Sequence, residues 1–119
     1  MATTPHQPRK RNLPIVTTDT LGTTAIRHGS ALYGVAISGA NVLRDLREAV
    51  TNTLGGKMTR YEKLLDQTID RALDKLEERA IAEGYDAVVG LHVSHPVITD
   101  GAIEVVVTGT GVWILKDRP

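Results

Sequence analysis

The chain has 119 residues, and its 14 basic and 14 acidic side chains balance to zero formal charge. One domain fits that length, and a neutral chain carries no global field toward nucleic acid or an anionic membrane. The absence of cysteine excludes disulfides and thiolate metal sites; it suits a reducing compartment, so the cytoplasm is the expected location.

Residues 1–13 hold the basic trio Arg9-Lys10-Arg11 with no apolar run behind it, which is not a secretory signal. They read as a solvated tail ahead of a single domain over residues 14–116. Three basic charges fall short of a nucleic-acid patch, and no stacking aromatics line a basic face. No stretch approaches the roughly 18 apolar residues that cross a bilayer. Neither nucleic acid nor membrane is therefore expected as a partner. With no Phe, one Trp and three Tyr, the core must be built from small side chains. It lacks the residues that usually bury most area, and a neighbouring subunit is one source of the missing cover.

In chain order, Ile15–Thr18 offers a short strand. Ala31–Ser38 places Tyr33, Val35 and Ile37 on one face and Leu32, Gly34 and Ala36 on the other. Both sets are apolar or small, which predicts a strand covered on both sides, and Gly34 leaves room for a close approach. Val42–Leu54 has helical spacing behind Asn41 as N-cap, and Gly55-Gly56 ends it. A longer helix then opens on the capping box Thr59-Arg60-Tyr61-Glu62 and runs to Glu83, with Gly84 as its left-handed end. Two β-branched runs, Asp86–Ser94 and Ala102–Leu115, read as strands. The order predicts a two-layer α+β domain, a small antiparallel sheet packed on one long helix.

Along that helix Leu65, Ile69, Ala72, Leu76 and Ala80 make one apolar stripe, broadened by Leu73. Glu62, Asp66, Asp70, Asp74 and Glu78 recur at four-residue spacing, as do Lys63, Gln67, Arg71, Lys75 and Arg79. Like charges so spaced cost an isolated helix about 0.2–0.5 kcal/mol per pair. Glu62 and Asp66 fall on one flank of the stripe, Lys75 and Arg79 on the other. A ring of identical subunits would set the acidic flank of one copy against the basic flank of the next. Solvated flanks with signs suited to the helix dipole explain the same pattern.

Candidate chemistry is sparse. Gly39-Ala40-Asn41 lacks the Lys-Ser/Thr of a phosphate loop and the three-glycine dinucleotide spacing. A capped helix start still presents free N–H groups to an anion. Asn41, Arg44 and Asp45, with Tyr61 near the Gly55-Gly56 turn, are the candidate ligand residues. His92 and His95, three apart on a strand, leave opposite faces and cannot chelate one ion unaided. A symmetry axis multiplying His92 is the route left to a metal. No nucleophile elbow, helical His-Glu-x-x-His or forced carboxylate pair is present, and no catalysis or cofactor is expected.

An ordered series of segments then becomes familiar: "VTTDT" (16–20), Gly34-Val35, "GANVLRD" (39–45), "GGKMTRYEKLL" (55–65), "RAL" (71–73), "GYDAVVG" (84–90) and "GTGV" (109–112). Over Leu13 to Leu115 the chain resembles the YbjQ family, which carries a heavy-metal-binding label. The resemblance implies a dodecin-like subunit fold and assembly as a homopentamer. The expected function is thus a non-enzymatic, ring-forming scaffold or small-ligand binder. The alternative is a metal-ion-binding protein with sites at subunit junctions.

Overall fold

The computed structural model describes residues 11–39, 56–97 and 101–116, with residues 56–60 described by backbone alone. Three strands, β1 (Ile26–Ser38), β2 (Ala87–Ser94) and β3 (Ile103–Ile114), form an antiparallel sheet in the order β1-β3-β2. A long helix, α1 (Gly56–Ala82), packs on β1 and β3. This is the α+β arrangement of helix on antiparallel sheet that the sequence predicts. The shorter helix expected over Val42–Leu54 lies outside the described residues.

The apolar stripe explains why α1 lies where it does. Ala72, Leu76 and Ala80 are fully buried, and Leu65, Ile69 and Leu73 pack around them against Leu32, Ala36, Val105 and Val107 of the sheet. With 27 residues, α1 is about 40 Å long at ~1.5 Å per residue. β1, with 13 residues, is about 43 Å long at ~3.3 Å per residue, so helix and strand are matched in length. The helix begins at Gly56, three residues before the expected capping box, so Thr59 falls inside it rather than capping it. Its other end is the predicted one. Gly84 has φ +80°, its N–H donates to the Ile81 carbonyl (3.0 Å), and the Tyr85 N–H donates to the Ala80 carbonyl (2.9 Å). That pair of bonds satisfies the last helical carbonyls.

Gly34 is where the two layers come closest. A Cβ built there would collide with the Ala72 carbonyl oxygen and stand 2.9 Å from the Leu76 nitrogen. A second tie is a chain of polar groups inside this contact. Thr68, fully buried, gives its one hydroxyl proton to the Leu64 carbonyl (2.7 Å). The Ser38 hydroxyl must then be the donor in its 2.6 Å bond to Thr68 Oγ1. Arg71 Nη2 in turn donates to Ser38 Oγ (3.0 Å) and to the Ile37 carbonyl (3.1 Å). Each buried hydroxyl is thereby paired, which removes a desolvation cost of about 1–3 kcal/mol per group.

Two expectations are corrected. β1 is not covered on both sides. Leu32, Gly34, Ala36 and Ser38 are buried under α1, whereas Tyr33 and Ile37 are each 52% exposed. A single helix shields a single face, and among the described residues the opposite face is covered only at its far end. There Ala87, Val89 and Val112 sit under Val16, Leu21 and Ile26.

The packed chain also starts earlier than residue 14. Leu13 is 6% exposed and belongs to the core. The Asn12 and Leu13 N–H groups donate to the buried Glu77 carboxylate (3.0 and 3.3 Å). Residues 15–18, expected as a strand, make an isolated parallel bridge, Ile15 to Val88, and run with Pro14 along the outer edge of β2. The Val88 N–H donates to the Pro14 carbonyl, the Val16 N–H to the Val88 carbonyl, and the Leu91 N–H to the Val16 carbonyl (2.9, 2.9 and 3.0 Å).

Replacing Gly34 by Ala is predicted to cost about 1–3 kcal/mol, because backbone rather than a flexible side-chain end stands in the way. Chemical denaturation of the two proteins measures this. A neutral substitution would mean that α1 does not sit this close to β1.

Candidate functional site

Residues directly opposed in an antiparallel pair share a face of the sheet. Tyr33, Val35 and Ile37 of β1 oppose Thr108, Val106 and Glu104 of β3, while His92 and Ser94 of β2 oppose Thr108 and Val106 from the other side. The face away from α1 therefore carries the row Tyr33–Thr108–His92, all exposed, and beside it Val35–Val106–Ser94, all half-buried. This strip is apolar toward β1 and polar toward β2. Sequence periodicity marks these positions as apolar but does not say which face one helix leaves bare.

The basic flank of α1 hangs over the free edge of β1. Arg71 is bonded to the end of the strand as described, and Lys75 follows it as an exposed side chain. The Arg79 guanidinium lies 4.1 Å from the centroid of the Tyr33 ring, a cation over an aromatic face. A hydrogen bond from that guanidinium, and then its positive charge, hold the Tyr33 phenol below its usual value of 10.0.

The opposite flank of α1 is pinned to the N-terminal segment. Arg11 Nη2 donates to the Asp70 carbonyl (3.2 Å) and to Asp74 Oδ1 (3.3 Å), and lies 3.6 Å from Asp70 Oδ1. Arg11 Nε is buried and makes no hydrogen bond. Between this segment, α1 and β2 opens a cleft of about 260 Å³ with Arg11 at its rim and Leu13, Pro14, Ile15, Leu73 and Leu91 as walls. In sequence Arg11 belongs to the expected tail. The signal that places it is Leu13, an isolated apolar residue ahead of Pro14 whose burial drags its neighbours onto α1.

The other residues singled out in the sequence are scattered. Asn41, Arg44 and Asp45 lie outside the described residues. Tyr61 is half-buried near the start of α1, and Glu62 and Asp66 are exposed on the helix. His92 is exposed on the bare face, His95 beyond the end of β2, and His28 near the start of β1. Among the described residues no three His, Asp or Glu side chains converge as a metal would require. Within one chain the described residues therefore do not fit a heavy-metal centre. Nor is any helix among them long and apolar enough to cross a membrane.

A family model described as "Putative heavy-metal-binding" matches residues 13–115. The chain belongs to the YbjQ family. Similar proteins include a UPF0145 protein of Bacillus cereus, 39% identical over 93 residues that span 78% of this chain and 90% of the relative. A UPF0145 protein of Bacillus anthracis is 37% identical over 102 residues, 84% of this chain and 99% of the relative. The fold is shared with a crystal structure of a protein of unknown function from Pediococcus pentosaceus. That likeness has a TM-score of 0.56 at 21% identity and covers 90% of this chain and 100% of the other. The matched residues begin at Leu13, the buried residue at which the chain turns onto Glu77.

Replacing Arg79 by Met is predicted to return the Tyr33 phenol toward its usual value, read by ultraviolet titration against a Tyr33→Phe control. Because the folded value is depressed, the phenolate's contribution to stability is complete above about pH 10, the unfolded value. It is lost as pH falls through the lower folded value. The stability gap between the parent protein and Arg79→Met should accordingly widen as pH rises through that window. Identical phenol titrations would show that Arg79 does not hold the ring.

Proposed function

We propose that this YbjQ-family protein is a non-enzymatic, self-assembling scaffold or small-ligand binder. Its subunits are of the dodecin-like kind and close into a ring in the cytoplasm. Five copies is the number that the resemblance to the family implies. The observation that carries the reading is the strip opposite α1 on which Tyr33 and Ile37 are exposed and Val35 and Val106 half-buried. Strands with apolar residues on both faces belong to sheets covered on both faces, and α1 covers one.

A second support is electrostatic. The basic flank (Arg71, Lys75, Arg79) and the acidic flank (Glu62, Asp66, and the Asp70–Asp74–Arg11 corner) lie toward opposite edges of the sheet. Contacts between unlike surfaces of identical copies form rings when the rotation closes. Ligands of such an assembly belong at the junctions between copies, where Asn41, Arg44, Asp45 and Tyr61 are the residues to examine.

A metal-binding function is the second reading, and the family's printed description favours it. Soft metals prefer thiolates, which this chain lacks. His92, exposed on the bare face, is its best remaining ligand and needs symmetry copies to make a site. Metal analysis of untagged protein, followed by calorimetric titration with Zn²⁺ and Cu²⁺, separates the readings. Stoichiometric binding abolished by His92→Ala would favour the metal reading, and no bound metal and no heat would remove it.

For the assembly, light scattering should give about five times the 12.9 kDa chain mass. The double reversal Lys75→Glu/Arg79→Glu should lower that mass, and added salt should act in the same direction. A chain that stays monomeric at 100 µM would refute the assembly.

A further inference from the structure

Arg71, Lys75 and Arg79 form a row of exposed cations along α1. Among the described residues no carboxylate lies within ion-pair distance of any of the three. Like charges so spaced oppose the helix that carries them. Beside the row runs β1, which has 13 residues and stands at the edge of the order β1-β3-β2.

The backbone of β1 shows which of its groups face outward. The Ile37 carbonyl accepts a hydrogen bond from Arg71 (3.1 Å) rather than from β3. In an antiparallel pair, residues that turn both backbone groups toward the partner alternate with residues that turn both away. The register from Ala31 to Ser38 is unbroken, so Tyr33 and Val35 turn their N–H and C=O groups off the same edge as Ile37. The phase of β3 agrees. Val88 gives both its groups to Pro14 and Val16 on the outer side of β2, so Val89 faces its β3 partner Thr110, and Thr108, Val106 and Glu104 likewise turn toward β2. Among the described residues no hydrogen bond reaches the backbone groups that Tyr33 and Val35 turn outward.

Row and edge are in step. Arg71 lies beside Ile37 and Arg79 beside Tyr33. Between these points the helix rises about 12 Å and the strand runs about 13 Å. Neighbouring cations are about 6 Å apart along the helix, and alternate side chains of a strand laid on this edge would be about 6.6 Å apart. Side chains on its α1 side would meet the cations one for one. Those on its other side would continue the apolar row of Tyr33, Val35 and Ile37.

We infer that the free edge of β1 takes up an extended segment of another protein, added as a further strand and alternating acidic with apolar residues. Its carboxylates pair with Arg71, Lys75 and Arg79, and its backbone bonds to Tyr33 and Val35. In the free chain Arg71 and Arg79 bend over the edge themselves, to the Ile37 carbonyl and the Tyr33 ring. A carboxylate is a stronger partner than either, so both side chains yield the edge to an acidic strand and hold it against others. No described strand of this chain alternates acidic with apolar residues, which points to a partner of different sequence. The contact needs no second copy, and it draws on the basic flank that a neighbouring copy would otherwise meet.

Three fluorescein-labelled peptides test this by anisotropy: Glu-Val-Glu-Val-Glu-Val-Glu, its block rearrangement Glu-Glu-Val-Val-Val-Glu-Glu, and the alternating Lys-Val counterpart. The first is expected to bind at least tenfold more tightly than either of the others, and added salt should weaken it. On binding, the Tyr33 and Val35 amides should gain protection from hydrogen exchange, read by NMR. Val35→Pro removes an outward N–H and no bond of the ladder, and should weaken the first peptide at least tenfold. If that variant melts early, Lys75→Glu, at an exposed helix position, is measured in its place and should weaken it at least threefold.

Charged side chains that only guard an edge would refuse all three peptides, and that result overturns strand addition here. So does equal binding of the alternating and block peptides. Binding that leaves the Tyr33 and Val35 amides unprotected overturns it as well.

Discussion

At Gly34 the backbone of α1 comes against the backbone of β1, and the small residues Ala36, Ala72 and Ala80 keep the two layers close on either side. The approach leaves no space for a larger side chain between helix and strand. In exchange the Ser38–Thr68–Arg71 chain of hydrogen bonds can form across the gap. Leu76, Val105 and Val107 are then sealed from water without any large aromatic in the layer. The two core-associated aromatics, Tyr85 and Trp113, are gathered at the end of the sheet, with ring centroids 4.8 Å apart and Arg27 over the indole. A helix spent so completely on one face has nothing left for the other.

That constraint decides what the sequence can and cannot reveal. The stripe from Leu65 to Ala80, the left-handed Gly84 and the need for a close approach at Gly34 are local signals, and each is realised where its residues stand. Leu32 to Ser38 is legible as a strand for the same reason. Which of its two apolar faces is left bare is not local, because alternation is symmetric between the faces of a strand. The parallel pairing of Pro14–Thr18 with β2 depends on contacts across more than 70 residues, and no periodicity encodes it. Arg11 is the sharpest case. In sequence it ends a basic trio, and in space it bridges two carboxylates of α1.

The rows of like charge on α1 gain a physical meaning from this. Asp70 and Asp74 repel one another on an isolated helix, and here Arg11 stands between them and offsets the repulsion within the chain. On the other flank Arg71 is committed to the end of β1 and Arg79 to the Tyr33 ring. The four-residue spacing is therefore used one residue at a time, by different neighbours. What is left over is the difference between the flanks, and unlike flanks favour contacts that are themselves unlike.

Metal binding and self-assembly become one question when the ligands are followed in space. With no thiolate, imidazole is the main transition-metal ligand of this chain. His28, His92 and His95 stand in separate places, one near the start of β1, one in the Tyr33–Thr108 row and one past the end of β2. A transition-metal site needs three or four ligands within about 2.0–2.3 Å of one ion. The described residues of one chain bring no such set together. A site drawn from them has to borrow ligands across a junction, so it would exist only where copies meet, and its affinity would rise and fall with their association.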